Sequence, residues 1–281
     1  MPGSGGGLNG PMRLARALSC EAICRIIGRL SEKLRVAGMA DVRHRAAIEL
    51  AAMEGQADVN GVFDIIGPIM VGPSSSHTAG AVRLGLAGRA IVGGQPSRAD
   101  LTLHGSFAQT YRGHGTDVAL IAGILGMRPD DERIPGSFRV ACEQGMEFSF
   151  AGADLGDVHP NSVLMDLTGP NGLRTTVGGS SVGGGNILIT RIDRFDVDFA
   201  GTSHALIASY RDQPGVIAKI TSLLATEDVN IATMRVSREG RRARALAIIE
   251  LDQPVSREAR ALITRISGIE TVIALPPVVS A

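Results

Sequence analysis

The sequence predicts an α+β protein: an N-terminal extension, an α/β unit, then a compact β-α-β-β-α-β module. Three observations carry this. The chain has 281 residues, which at about 150 per domain suggests two folded units. Short apolar runs alternate with Gly-rich turns from Val62 to Phe199. From Thr202 onward, strand-like and helix-like periods follow one another with clear turn signals between them.

Residues 1–61 differ from the rest. Met1–Pro11 is Gly-rich and featureless, as disordered termini are. Leu14–Leu50 is helix-compatible, with Arg13, Arg16, Arg25, Arg29, Lys33 and Arg35 among small apolar residues. It lacks the uninterrupted apolar core and cleavage site of a secretory signal. Cys20 and Cys24 are expected to be small residues on one helix, partly helical or disordered like the whole extension.

The second unit is expected over 62–201. Gly80, Val82, Leu84 and Leu86 open a helix, and Leu101–Leu103 reads as a strand. Asp117–Met127 reads as a helix with Val118, Ile121, Ile124 and Leu125 on one face, capped by Thr116 or Asp117. Val163–Leu167, Arg174–Val177 and Asn186–Ile192 read as strands.

The third unit is expected over 202–281. Ala205–Ala208 is a strand, and Asp212-Gln213-Pro214-Gly215 turns into a helix with Val216, Ile217, Ile220, Leu223 and Leu224 at helical spacing. Asn230–Val236 and Ala245–Leu251 are strands around a Glu239-Gly240 hairpin. Ser256 caps a helix running through Ile266, and Thr271–Leu275 closes the module. That order is ferredoxin-like.

Composition excludes several classes. Basic and acidic residues balance at 28 each, which gives no electrostatic case for nucleic acid. Aromatics are 3% with no Trp, too few to build stacking platforms. No apolar run approaches the ~18 residues that span a bilayer. Cys20, Cys24 and Cys142 are too few for a disulfide framework, which fits a cytoplasmic setting, and too few for a self-contained four-iron cluster.

The densest polar cluster is GPSSSHTAG at 72–80. Ser74, Ser75, Ser76, His77 and Thr78 crowd hydroxyls and one imidazole at a helix start, where free amides favour a carboxylate or phosphate. These exceed what a cap needs, and His77 can shuttle a proton near neutral pH. In Gly113-His114-Gly115-Thr116-Asp117, His114 lies between glycines before a helix, either a ligand-approaching residue or an exposed loop His. His104, ahead of Gly105-Ser106, sits at a strand end. His159-Pro160-Asn161 is a turn. Gly178–Asn186 is either a plain hairpin or a cradle of amides for an anion, without P-loop spacing or a following Lys. Zinc on His77, His104 and His114 is conceivable, though no spacing demands it. No nucleophile elbow is present.

Phe63-Asp64-Ile65-Ile66-Gly67-Pro68, GPSSSHTAG, Gly105-Ser106-Phe107-Ala108, GHGTD at 113–117, His159-Pro160-Asn161 and Gly183-Gly184-Gly185-Asn186 closely resemble, in order, the β subunit of bacterial iron–sulfur-dependent L-serine dehydratases. The C-terminal module resembles an ACT domain, with Asp212-Gln213-Pro214-Gly215 and Asn230 matching its ligand loop. The resemblance implies deamination of L-serine to pyruvate and ammonia, using a [4Fe-4S] cluster whose cysteines belong to a partner α subunit, with no metal ligand in this chain. It implies His77 and His114 as acid–base residues, the α-proton base unassigned. Ser74, Ser75, Ser76, Thr78, Thr116, Asn161 and Asn186 would hold substrate. The ACT module would bind an effector or pair with a second copy. The competing reading is a non-catalytic amino-acid-sensing regulatory protein. Arg241, Arg242 and Arg244 are expected to be a solvated charge run.

Overall fold

The computed structural model describes residues 70–279. The extension at 1–61, with Cys20 and Cys24, and the Phe63–Pro68 motif lie outside the described residues. A π-helical turn, Ser75–Ala79, runs into α1 (Gly80–Ile91). Then follow β1 (Arg98–Leu103), α2 (Gly105–His114), α3 (Thr116–Ile124), α4 (Ser137–Glu143) and β2 (Glu147–Gly152). Next come β3 (Ser162–Thr168), β4 (Arg174–Gly183), β5 (Asn186–Ile192) and β6 (Phe195–Phe199). The second module comprises β7 (His204–Arg211), α5 (Val216–Thr226), β8 (Ile231–Arg238), β9 (Arg244–Leu251), α6 (Arg257–Thr264) and β10 (Ile269–Leu275).

The first sheet has the order β2-β1-β3-β4-β5-β6, with only the β1–β2 pair parallel. Period-2 patterning sets its faces. Ala99, Leu101 and Leu103 on β1 and Val163, Met165 and Leu167 on β3 are buried. On the other face Arg98 pairs with Asp100 at 2.7 Å and with Glu147 at 3.2 Å.

Helices α1 and α3 pack together at glycines. A Cβ on Gly123 would stand 2.0 Å from the Val82 carbonyl oxygen, and one on Gly85 would stand 2.4 Å from that of Leu120. Only hydrogen fits at either crossing point. Glycines of β4 let α1 settle on the sheet in the same way: a Cβ on Gly179 would lie 2.8 Å from Leu84 Cδ2. This corrects the reading of Gly178–Asn186 as one loop. Gly178–Gly183 are strand, and the turn is reduced to Gly184 and Gly185, both at positive φ. Glycine inside a strand here marks close approach of another element.

Two more expectations change. Gly105–His114 is a helix, so His114 ends a helix and is not in a free loop. Gly115, left-handed at φ 71°, ends α2 and N-caps α3, a role assigned to Thr116 or Asp117.

The second sheet has the order β10-β7-β9-β8, antiparallel throughout, as a ferredoxin-like module requires. Leu206, Ala208, Ala247 and Ile249 on one face pack with Val216, Ile220 and Leu224 of α5 and Ile263 of α6. Ala205, Ile207, Leu246, Ile248 and Leu275 on the other face join the core of the first unit. Burial on both faces explains why β7 and β9 read as near-continuous apolar runs with little alternation. Ion pairs Arg235–Asp198 at 2.9 Å and Arg194–Glu239 at 3.9 Å add exposed ties between the units. Among the described residues no helix is long and apolar enough to cross a membrane.

Candidate functional site

The site is built around the π-helical turn. Ser74 caps it: its hydroxyl accepts from the His77 backbone N–H at 3.3 Å. Wide π turns recur where a side chain must be presented out of register. Gly72 lies tight over this turn, since a Cβ there would sit 2.3 Å from Thr78 Oγ1. Gly80 does the same against Ser181 of β4, at 2.1 Å from its Oγ.

The His77 ring lies between two hydroxyls, with Nε2 3.2 Å from Ser106 Oγ and Nδ1 3.4 Å from Ser74 Oγ. In neutral imidazole one nitrogen donates and the other accepts, so one serine accepts while the other donates. The ring meets His114 edge-on, centroids 4.9 Å apart, and Phe107 at 5.4 Å. Burial, and secondarily the charge of His114, pulls the His77 pKa down. His77 is therefore held neutral and able to accept a proton.

Four buried polar atoms have no hydrogen-bond partner among the described residues: Thr78 Oγ1, His114 Nδ1, Thr116 Oγ1 and Ser181 Oγ. They sit on elements that pack on or adjoin the π turn. Each orphan costs about 1–3 kcal/mol. Such a concentration is the mark of groups kept for something other than stability.

The remaining motifs converge by backbone contacts. Gly105, at φ 53°, opens α2 with Pro160 against it; a Cβ there would lie 2.7 Å from the Pro160 carbonyl oxygen. The Asn161 carbonyl accepts from Ser181 N–H at 2.9 Å, and Asn161 N–H donates to His159 Nδ1 at 3.1 Å. Ser162 Oγ, 2.7 Å from Ser180 Oγ, donates to the His159 carbonyl at 2.5 Å and fixes this turn. Burial lowers the His159 pKa. Asp117 accepts from Val118 N–H at 2.9 Å, and burial raises its carboxyl pKa.

Of the expected residues, Ser74, His77, Thr78, His114 and Thr116 are thus gathered, with Asn161 joined through Ser181. Ser75 and Ser76 lie half-buried in the turn. Asn186 is exposed at the start of β5, opposite Gly183; its hairpin is tied to α1 by buried Arg83, which donates to the Gly185 carbonyl at 2.7 Å. His104 is turned elsewhere: Nδ1 accepts from Leu155 N–H at 3.1 Å and lies 3.6 Å from Asp154. Among the described residues no three His, Cys, Asp or Glu side chains group to hold a metal ion. Ser106 and Ser181 were not singled out from the sequence. Ser106 lay in the Gly105–Ala108 motif and Ser181 in the Gly178–Asn186 stretch, but neither side chain was given a role.

In the second module the expected ligand loop is internally bonded. Asp212 accepts from Arg242 N–H and from Arg238, both at 3.1 Å, and the Arg242 amide leads in lowering its pKa. Gln213 Nε2 donates to the Ser267 carbonyl at 2.6 Å. Pro214 precedes Gly215, which at φ 86° N-caps α5. Asn230 Nδ2 donates to Asp252 at 2.6 Å. Arg244 pairs with Glu270 at 3.0 Å, so it is no free member of a solvated run.

Comparison with known proteins matches residues 61–137 to the serine dehydratase beta chain family and 204–268 to the ACT domain. The L-serine dehydratase beta chain of Peptoniphilus asaccharolyticus is 40% identical over 74% of this chain and 95% of its own length. A probable L-serine dehydratase beta chain of Bacillus subtilis is 41% identical over 69% of this chain and 88% of its own. A D-3-phosphoglycerate dehydrogenase of Synechocystis is 30% identical over 64% of this chain but only 32% of its own length. The two β chains match nearly end to end, and the sensor-only reading is not favoured. With its His77–His114 imidazole pair beside a serine-rich π turn and its C-terminal ACT domain, the chain belongs to the serine dehydratase β-chain family.

Proposed function

We propose that this chain supplies the substrate-gripping, proton-moving half of a cytoplasmic L-serine dehydratase. A partner α chain completes the site. The observation that carries the reading is the His77–His114 contact surrounded by orphaned hydroxyls. Hydroxyls and imidazoles without a thiolate suit an amino acid, and they do not suit a [4Fe-4S] cluster as its ligands. The cluster is assigned to the α chain, where its chemistry would be that of a Lewis acid.

Within this chain, Ser74, Thr78 and Thr116 offer donors to the substrate carboxylate, with Ser75, Ser76, Asn161 and Asn186 around them. Neutral His77 is poised to receive a proton, and Ser106 and Ser74 fix its ring. His114, touching it, holds or returns a proton to the leaving hydroxyl. Loss of the α-proton and the β-hydroxide leaves an enamine that hydrolyses to pyruvate and ammonia. A cavity of about 890 Å³ lies elsewhere and none of these residues lines it, as befits a surface completed by another subunit.

The ACT domain is proposed to pair with a second copy along β8, an edge strand carrying exposed Met234 and Val236. Asp212, Gln213, Pro214, Gly215 and Asn230 shape the loop that would take an effector.

The test is anaerobic reconstitution of the full chain with an α chain, read by pyruvate release. The isolated chain should be inactive. His114→Ala should lower kcat by about 10²–10⁴-fold while size-exclusion shows intact assembly. A wild-type rate in that variant removes His114 from the mechanism.

A further inference from the structure

A second concave site lies between the two units. The cleft of about 890 Å³ has one wall from α1 and the segment after α3, and the other from α6, β10 and the following Pro276–Pro277. That volume is in the range of small-molecule sites. Four arginines line it, Arg83, Arg89, Arg128 and Arg260, against one carboxylate, Asp130.

Three of the four, Arg83, Arg89 and Arg260, make no salt bridge among the described residues. Arg83 is only 6% exposed, and its Nη1 bonds a carbonyl, that of Gly185. Arg89 bonds the Ile124 carbonyl at 3.2 Å and the Gln95 side chain. Neither has a carboxylate partner among the described residues, and burial lowers both guanidinium pKa values. Arg128 stands 3.7 Å from Asp130. Arg260, exposed on α6, has no ion pair among the described residues. Buried charge is ordinarily paired, so one buried and one part-buried arginine without a carboxylate, both lining one cleft, call for an anion. Guanidinium forks favour planar or tetrahedral oxyanions, which they grip bidentately.

We propose that this cleft binds a small dianionic metabolite, a phosphate monoester or dicarboxylate, bridging the first unit and the ACT domain. The ligand joins Arg83, Arg89 and Arg128 on one side to Arg260 on the other. Its occupancy therefore couples the position of the ACT domain to α1, the helix that begins at the His77 turn.

The test uses the full chain without any α chain, so it is independent of serine turnover. Thermal unfolding and calorimetry are run with inorganic phosphate and with malonate, ionic strength being held constant with sodium chloride. A saturable rise in Tm with either dianion supports the site, and the stronger of the two assigns the class. Arg128→Gln/Arg260→Gln, both exposed, should keep the ligand-free Tm and weaken binding at least tenfold. The proposal is overturned if neither dianion exceeds the chloride control. It is equally overturned if the double variant binds as wild type does, since the anion would then sit at the serine-rich turn.

Discussion

Substituting Gly123 with alanine tests whether the α1–α3 crossing sets the imidazole pair. The added Cβ would lie 2.0 Å from the Val82 carbonyl oxygen and 2.9 Å from Gly85 Cα. Both obstacles are backbone, so no side chain can rotate away. Reaching ordinary contact at 3.4 Å requires the helices to part by about 1.4 Å. Overpacking of this kind costs up to about 3 kcal/mol, and the better helix propensity of alanine returns about 1 kcal/mol. The net loss, about 2 kcal/mol, corresponds to a fall in Tm of roughly 4–8 °C for a chain of this size. Because α1 continues the His77 turn and α3 follows His114, a displacement of this order should also reduce turnover by as much as ~10²-fold. Thermal unfolding followed by circular dichroism is the assay. Gly113→Ala is the internal control: nothing lies within 4 Å of its Cβ, so it should be neutral or gain up to about 1 kcal/mol. If Gly123→Ala melts at or above wild type, the crossing is not the constraint described.

Two further outcomes follow from the site and the edge strand. The folded-state pKa of His77 is depressed below its ordinary 6.5, so its neutral form contributes stability above about pH 6.5 that is lost as pH falls through the folded pKa. Denaturant unfolding at pH 7.5 and 5.5 should show a smaller acid loss in His77→Gln than in wild type; equal losses would mean the ring is not desolvated in the fold. Val236→Lys, at an exposed position of β8, should shift sedimentation toward a single copy without lowering the melting temperature. An unchanged sedimentation profile would place any self-association elsewhere.

Much of the ACT module was legible because its signals are local. Val216, Ile220 and Leu224 repeat at helical spacing, and Ser256 caps α6 by accepting from Ala259 N–H at 3.0 Å. The polar residues of the site were legible for a similar reason: three serines, His77 and Thr78 in succession exceed any capping need. The element carrying His114 was not. In GSFAQTYRGH only Phe107 is buried, so α2 has no apolar stripe to announce it. Strand β4 was half hidden because its glycines look like turn residues, and the purpose of Gly179 depends on Leu84, far away in the sequence. Strand β6 was not legible although Phe195, Val197 and Phe199 alternate, because Asp196 and Asp198, a residue type depleted in strands, stand between them. The orphaned hydroxyls depend on what surrounds them after folding, which no local pattern encodes.

The central strands β7 and β9 of the ACT sheet are covered on both sides, by the module's own helices and by the neighbouring unit. The ACT module is therefore not an accessory hung on a tether. Cutting it away would strip the first unit of a wall of its own interior, and the excised piece would carry a greasy underside into water. Evolution within this architecture can alter the module's exposed loops, but it cannot discard the module without rebuilding the floor beneath it.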